Sequence, residues 1–421
     1  MILVKPYLGC NLRCAYCYQA DIREHDNPHT KMNYDLDAVL KTMEALYKEE
    51  KQNISLHGGE PLAIPIEDIE AILRKSFELQ GRSAIQTNGY LINDEIITLF
   101  KKYKTGVGIS IDGFYPENKL RGFPGNAEKT KEYTKRVLDN IETLCAENVI
   151  PGIIVVLHKA NTTGKHLERL KDFIRWLSKL GVKSGKLNPC SVDNPKKAKK
   201  IELSSEELKH VWLEMAKFTL FEDGLKWDPF TSMLKNLRGN YLGDCIFTQC
   251  DFWNTHSAQV ILGDGSVSCC ARTFNLVGST FIRAYRSFER YEVLEKTDCA
   301  GCRYWSICNG GCPSRGINGD WRNKDKYCEA IYALYEYLEK HIKAFDPNAV
   351  LVTDKNYKKK AYYHSEGEHG DHHGDHRDHG DSYNGQQRRV LGYRGHGDSP
   401  HGDHRDHGDS PHGDHSEHMD R

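Results

Sequence analysis

The sequence predicts an α/β fold in which six short strands alternate with amphipathic helices around a parallel sheet. One observation is a set of short apolar runs, at residues 2–5, 53–57, 83–87, 107–111, 150–157 and 185–188. The other is a set of helical periods between them, at residues 36–50, 66–79, 94–103, 129–147 and 164–180. Six such units suit a partial barrel, in which ligands meet the loops at the carboxyl ends of the strands.

Composition excludes several classes of protein. A chain of 421 residues can form two or three domains with real cores. A net charge of −1 gives no electrostatic reason to expect nucleic acid or an anionic membrane as partner. No apolar run approaches the ~20 residues that span a bilayer, and no secretory signal opens the chain. The 14 cysteines therefore indicate metal-binding thiolates in a reducing cytoplasm rather than disulfides.

Three cysteines follow the first strand directly. Cys10, Cys14 and Cys17 are separated by three and then two residues, and on a loop they can turn toward one point. A [4Fe–4S] cube held by three thiolates keeps one iron without a protein ligand, where a small molecule can be bound and reduced. A structural zinc knuckle is the alternative, although zinc would need a fourth ligand close by.

With Tyr16 before its last cysteine, this motif reads CxxxCxΦC. The sequence thereby resembles the radical S-adenosylmethionine (SAM) enzymes, specifically those with a C-terminal SPASM extension, from the first strand to about Lys343. The resemblance implies an open (β/α)6 barrel and a cluster that cleaves SAM reductively. The resulting 5′-deoxyadenosyl radical would abstract a substrate hydrogen, with electrons from a donor such as flavodoxin or ferredoxin. That chemistry belongs to the cofactor, and the protein supplies orientation and excludes water.

The first expected cofactor-binding residues follow the second strand. Gly58 and Gly59 would let the backbone pass close to a ligand, and Glu60 offers a carboxylate to a cation. An ordinary glycine turn before a helix is the alternative. The segment resembles the family's GGEP motif, whose residues bind the SAM amino group.

Further cofactor-binding residues are expected after the third and fourth strands. Asn88 lies in a segment that resembles the family's TNG turn. The fourth strand ends at Ser110 and is followed by Asp112 and Arg121. The resemblance implies that the serine and the arginine hold the SAM carboxylate, a task that suits an arginine fork. A solvated loop charge is the alternative for Arg121.

A second group of cysteines lies between residues 245 and 328. Its members are Cys245, Cys250, Cys269, Cys270, Cys299, Cys302, Cys308, Cys312 and Cys328. Such CxxC-like spacing is a strong metal signal, with zinc ribbons as the alternative. The spacing resembles a SPASM domain, which implies two auxiliary [4Fe–4S] clusters and therefore three clusters in all.

The resemblance also implies a ligand set for each auxiliary cluster. The first set is Cys245, Cys250, Cys270 and Cys312. The second set is Cys299, Cys302, Cys308 and Cys328. Cys270 is preferred to its neighbour Cys269 only because the spacing from Gly265 selects it.

Four regions are expected along the chain. Residues 1–200 would form the barrel, 201–240 a helical linker and 241–345 the SPASM domain, while 346–421 form a tail. The polar segment 193–200 is expected as a linker or barrel rim, Ser204 as a helix start, and residues 328–345 as the helix that closes the folded part.

The tail is dominated by His, Gly and Asp, and residues 396–406 recur at 407–417 with a period of eleven. Such a segment buries too little apolar surface to offset its ordering entropy, so disorder is expected. Its imidazoles and carboxylates can bind metals such as Zn, Ni, Cu or Fe. Three roles remain open: an inert or metal-buffering tail, a peptide substrate carried in cis, or a partner-binding segment. A tethered substrate would gain an effective concentration in the millimolar range.

The predicted function is oxidative maturation of a ribosomally made peptide, by thioether formation or carbon–carbon crosslinking. Sulfatase maturation to formylglycine is an alternative, but Ala271 stands where that family has an aspartate. A small-molecule radical enzyme and a non-catalytic metal-storage protein are further alternatives. Because Cys10 is so near the start, a leader-binding module ahead of the barrel is not expected.

Overall fold

The computed structural model describes residues 1–20, 28–192, 195–222, 225–240, 258–269, 287–355 and 357. Several predictions concern residues outside these ranges. They are those for Cys245, Cys250, Cys270, Ala271 and the repeats of the tail.

One nine-stranded sheet runs through the described residues, in the order β7-β6-β5-β4-β3-β2-β1-β8-β9. Its strands are β1 (Ile2–Lys5), β2 (Ile54–Leu56), β3 (Ser83–Thr87), β4 (Thr105–Ser110), β5 (Gly152–Leu157), β6 (Ser184–Pro189), β7 (Lys226–Asp228), β8 (Gln259–Leu262) and β9 (Val267–Cys269). Neighbouring strands are parallel, except that β8 and β9 are antiparallel. The predicted α/β class and its six parallel strands, β1 to β6, are confirmed.

Most of the helices lie between these strands along the chain, and the last three follow the final strand. They are α1 (Leu36–Glu50), α2 (Ile66–Gln80), α3 (Asp94–Lys102), α4 (Ala127–Ala146), α5 (Lys159–Thr162), α6 (His166–Lys179), α7 (Pro195–Ile201), α8 (Ser205–Ala216), α9 (Phe230–Leu237), α10 (Ser287–Lys296), α11 (Trp305–Cys308) and α12 (Cys328–Phe345). A π-helical turn, Lys217–Glu222, continues α8. The five helical periods predicted within the barrel agree with α1 to α4 and α6, and the closing helix agrees with α12.

Side-chain caps begin several of these helices. Asp35, Asn93 and Asn126 each accept a hydrogen bond from a backbone amide in the first turn of their helix. Ser204 and Glu207 form a reciprocal capping box at the start of α8, which confirms the predicted helix start.

Alternation along the strands separates two faces of the sheet. Alternate apolar residues pack beneath the helices in one large core, among them Val4, Ile85, Ile109, Val155 and Leu187. The sheet can therefore hold polar side chains on its other face, close to the loops that follow the strands.

The region between residues 193 and 240 differs from its prediction. Residues 195–201 form α7 rather than a linker, because a proline can occupy the first turn and the lysines that follow favour helix. The expected helical linker also contains β7, which pairs with β6. A three-residue strand is too short to leave a periodic signal. Within the described ranges, no helix is long and apolar enough to cross a membrane.

Candidate active site

The loop with Cys10, Cys14 and Cys17 leaves the carboxyl end of β1 and lies against residues 120–122. The amides of Arg13 and Ala15 donate to the carbonyls of Gly122 and Leu120, each at 2.8 Å. The amide of Gly122 donates in turn to Cys14 Sγ at 3.4 Å. The three thiols are therefore held at the edge of the sheet where ligands were expected.

The arrangement of the thiols bears on which metal group they fit. Among the described residues, no three His, Cys, Asp or Glu side chains are arranged to hold one metal ion. A cube does not require that, since each cysteine binds a different iron, whereas zinc needs four ligands around one ion. None of these three cysteines forms a disulfide with another described residue. The donor set therefore fits a [4Fe–4S] cube better than a zinc knuckle.

Gly58 and Gly59 follow β2 and pack on the cysteine loop. A Cβ on Gly59 would lie 2.1 Å from the carbonyl oxygen of Gly9, and one on Gly58 would lie 2.5 Å from that of Tyr7. The Gly59 amide donates to Tyr7 at 3.0 Å. The glycines thus let two backbone segments approach each other closely. The sequence analysis expected them to let the backbone approach a ligand.

Replacing Gly59 by alanine should lower the free energy of unfolding of the cluster-free protein by about 2–3 kcal/mol, because the new methyl group overlaps rigid backbone. Urea denaturation measures this. Gly152→Ala is the matched control, since nothing lies within 4 Å of its added Cβ. Equal stability of the two variants would contradict the packing role of Gly59.

The carboxylate of Glu60 is buried between the loops after β2 and β3. One oxygen accepts from the Leu62 amide at 3.0 Å and from Thr87 Oγ1 at 2.6 Å. The other accepts from the Asn88 amide at 2.8 Å. Burial raises the pKa of Glu60 to about 7, although these three donors oppose the rise.

This raised pKa has a measurable consequence for stability. The unfolded chain loses the Glu60 proton near pH 4.5, whereas the folded chain keeps it up to about pH 7. The free energy of unfolding of the cluster-free protein should therefore fall by about 2–3 kcal/mol between pH 5 and pH 8 on account of Glu60. Urea denaturation between pH 5 and pH 8 measures this change. The Glu60 contribution should be absent in Glu60→Gln and unchanged in the exposed control Glu67→Gln. An unchanged slope in Glu60→Gln would contradict the assignment.

Asn88 joins Glu60 to the cysteine loop. Its Nδ2 donates to Asn11 Oδ1 at 2.8 Å and lies 3.9 Å from Cys10 Sγ. Asn11 was missed by the sequence reasoning, although it lies inside the cysteine motif. Its own buried Nδ2 has no hydrogen-bond partner among the described residues, so a donor remains for a ligand.

Asp112 is fully buried behind the cysteine loop. Its Oδ1 accepts from Arg121 Nη2 at 3.1 Å and from the Val156 amide at 2.9 Å. Its Oδ2 accepts from the Tyr16 hydroxyl and lies 3.4 Å from His158 Nε2. Each oxygen of Asp112 thus has two partners, so this carboxylate is placed to orient its neighbours. His158 was not foreseen as part of this group.

The neighbouring charged side chains determine the pKa of Asp112 and affect that of Cys14. Burial alone would raise the pKa of Asp112, but Arg121 and His158 hold that pKa well below its ordinary value. The Arg121 guanidinium lies 5.5 Å from the centre of the Tyr16 ring. It also opposes the rise that burial causes in the pKa of Cys14.

Arg121 is buried rather than solvated, so the alternative of a surface loop charge is wrong. Its Nε has no hydrogen-bond partner among the described residues, which fits a site for an anionic ligand group such as a carboxylate. Ser110 lies at the end of β4, where its hydroxyl accepts from Gln86 Nε2 at 3.0 Å.

The later cysteines fall into two places among the described residues. Burial, and then neighbouring Cys328 and Cys302, raise the pKa of Cys299 to about 11, while Arg290 opposes the rise. Burial together with Cys328, Asp325, Cys299 and Cys302 raises the pKa of Cys308 far above its ordinary range. The four thiols expected to form one ligand set are thus close enough to affect one another's ionisation.

Cys312 has different surroundings. Its Sγ lies 3.0 Å from Ser314 Oγ, and its amide donates to Asp325 Oδ2 at 3.0 Å. Cys312 is the one member of the other expected ligand set whose side chain the structure describes.

Comparison with known proteins adds to this geometry. The Radical SAM superfamily model matches residues 4–174. The chain is 24% identical over 378 residues to the cysteine-type anaerobic sulfatase-maturating enzyme of Clostridium novyi, covering 80% of this chain and 94% of the relative.

Two solved structures share the fold. Native anSMEcpe with bound AdoMet and Cp18Cys peptide has a TM-score of 0.62 at 19% identity, covering 82% of this chain and 98% of that one. Streptococcus suis SuiB bound to precursor peptide SuiA has a TM-score of 0.54 at 15% identity, covering 77% of this chain and 74% of that one. Residues 4–174 therefore form a radical SAM domain, and the protein is an enzyme homologous to the anaerobic sulfatase-maturating enzymes.

Proposed function

We propose that the protein matures a ribosomally made peptide, using reductive cleavage of SAM to drive thioether formation or carbon–carbon crosslinking. The superfamily implies SAM and a [4Fe–4S] cluster as cofactors. The observation that carries the proposal is the neighbourhood of Cys299, Cys302, Cys308 and Cys328 outside the barrel. Four such thiols can hold an auxiliary cluster, which would accept an electron from the peptide radical that hydrogen abstraction leaves.

The residues of the barrel would then have distinct tasks. Cys10, Cys14 and Cys17 would hold the cluster that, when present, supplies the electron for SAM cleavage. Glu60 would accept hydrogen bonds from the SAM amino group, whose positive charge would favour the ionised carboxylate.

On the other side of the site, Arg121 would donate its free Nε to the SAM carboxylate, with Ser110 as a second donor. Asp112 would keep the guanidinium in place. Asn88 would hold the cysteine loop beside Glu60, and Gly58 and Gly59 would let the two loops meet.

We also propose the regions 1–200, 201–240, 241–345 and 346–421 as barrel, linker, SPASM domain and tail. The SPASM domain would hold two auxiliary clusters with the ligand sets given above, so that the chain carries three. An external donor such as flavodoxin or ferredoxin would supply electrons in the cytoplasm. The peptide substrate would be a separate chain or the His-Gly-Asp repeats of the tail.

Formylglycine formation on a sulfatase is the second candidate, because several of the relatives are sulfatase-maturating enzymes. Ala271 counts against it, since the resemblance places an aspartate there in sulfatase maturases. A panel that contains sulfatase-derived Cys and Ser peptides distinguishes the two reactions by product mass.

Anaerobic reconstitution of the full chain tests the proposal. Three cubes should give about twelve irons per chain and broad absorbance near 400 nm. Dithionite-reduced protein should release 5′-deoxyadenosine, and a peptide substrate should lose two hydrogens by mass spectrometry. Cys302→Ala should retain SAM cleavage but lose the peptide product. Four irons, or peptide oxidation that survives in Cys302→Ala, would contradict a role for auxiliary clusters.

A further inference from the structure

Helix α10 contributes one buried arginine to the cysteine-rich region. Arg290 is 2% exposed. Its guanidinium lies between residues 309–311 and residues 321–323, two segments that belong to no helix or strand. Its nitrogens donate to five backbone carbonyls at 2.6 to 3.4 Å, those of Asn309, Gly310, Gly311, Trp321 and Asn323.

The first of these segments has an unusual backbone. Asn309, Gly310 and Gly311 have φ angles of 52°, 75° and 74°, so three consecutive residues are left-handed. Glycine takes positive φ at little cost, so the run is allowed at Gly310 and Gly311, but its carbonyls need hydrogen-bond partners where they are buried. A guanidinium carries five N–H donors in a rigid fork and can satisfy several carbonyls together, whereas a lysine donates from a single nitrogen.

Cysteines flank this left-handed turn on both sides. Cys308 precedes it and belongs with the neighbouring thiols of Cys299 and Cys328. Cys312 follows it, and its amide is held by the buried carboxylate of Asp325. The two proposed auxiliary clusters would thus each take one ligand from the same five-residue loop.

The second segment leads to the residue that holds Cys312. Trp321 and Asn323 precede Asp325, which also accepts from the Tyr327 amide at 2.9 Å and pairs with the buried Arg315. By binding carbonyls on both segments, Arg290 fixes the turn after Cys308 relative to the chain that positions Cys312.

We propose that Arg290 is a positioning residue that sets the separation of the two auxiliary clusters, by clamping the loop from Cys308 to Cys312 onto residues 321–323. The inference rests on the auxiliary clusters of the proposed function. It concerns their relative placement and not the identity of the peptide substrate.

The test counts iron in the full chain with Cys10, Cys14 and Cys17 replaced by alanine, so that only auxiliary iron remains. This parent should hold about eight irons after anaerobic reconstitution. Arg290→Gln should lose at least half of them. Arg290→Lys should lose a similar share, because it keeps the charge but not the fork. Arg322→Gln should match the parent, since Arg322 lies in the same region but is half-exposed and binds Asp320 within its own turn.

A second pair of variants separates the clamp from backbone strain. Gly310 and Gly319 have φ angles of 75° and 72°, so alanine is equally strained at both. A Cβ on Gly310 would lie 3.0 Å from Arg290 Nη2 and 2.4 Å from Leu294 Cδ1, whereas nothing lies within 4 Å at Gly319. Gly310→Ala should therefore lose auxiliary iron as Arg290→Gln does, while Gly319→Ala should keep it.

A positional readout completes the experiment. In protein with both auxiliary clusters reduced, dipolar electron paramagnetic resonance measures their separation, which should shift or broaden in the iron that Arg290→Lys retains. Full iron and an unchanged separation in both Arg290 variants would overturn the clamp while leaving the proposed function intact. A parent that binds no iron would overturn the auxiliary clusters and the clamp together. Iron lost equally from Gly310→Ala and Gly319→Ala would also overturn the clamp.

Discussion

Cys14→Ala is expected to reduce release of 5′-deoxyadenosine by at least about a thousandfold, since the radical chemistry of the superfamily belongs to the cluster. Cys14 accepts a hydrogen bond from the Gly122 amide and lies close enough to Arg121 for that charge to lower its pKa. Chromatography of dithionite-reduced reactions measures the product.

Cys145→Ala is the matched control for this change. Cys145 is a partly buried residue of α4 that packs against the core, so its loss should leave SAM cleavage within about twofold of the parent. Undiminished release from Cys14→Ala would show that another group of thiols holds the catalytic cluster.

Asp112→Asn is expected to lower the free energy of unfolding of the cluster-free protein by about 3–5 kcal/mol, because it leaves the buried charge of Arg121 uncompensated. The loss of the charged acceptor also weakens the Tyr16 hydrogen bond, so the cysteine loop should loosen. Chemical denaturation measures the stability, and iron content after reconstitution reports the loop.

Two further variants make this expectation specific. Asp139→Asn breaks the exposed pair with Lys135 and should cost no more than about 0.5 kcal/mol. Adding Arg121→Met to Asp112→Asn should recover part of the stability, since no uncompensated charge remains. Equal losses from Asp112→Asn and Asp139→Asn would mean that the buried pair does not organise the loop.

Regular elements of sufficient length were predictable from the sequence. The bounds of α1 and α12 agree with their helical periods residue for residue, because many apolar positions contribute to each pattern. The three-residue strands β7 and β9 left no such signal, and β8 joins β1 across about 250 residues of chain. Pairing between such distant segments is decided by the fold and not by local propensity.

Some residues of the candidate site were likewise predictable from the sequence and others were not. Its cysteines, Glu60 and Arg121 were recognisable because each lies in a short motif. Asn11, Gln86 and His158 were missed, since their roles arise from partners in other loops and strands.

By itself, the sequence determined the candidate ligands, because the spacing of Cys10, Cys14 and Cys17 is a local property that chemistry can interpret directly. Only the tertiary structure decided what supports them. Tyr16 meets Asp112 from 96 positions away, and Arg290 gathers carbonyls that lie 19 to 33 positions away. Such contacts exist only once the chain is folded, since burial then makes each polar group depend on the partners that the fold brings to it.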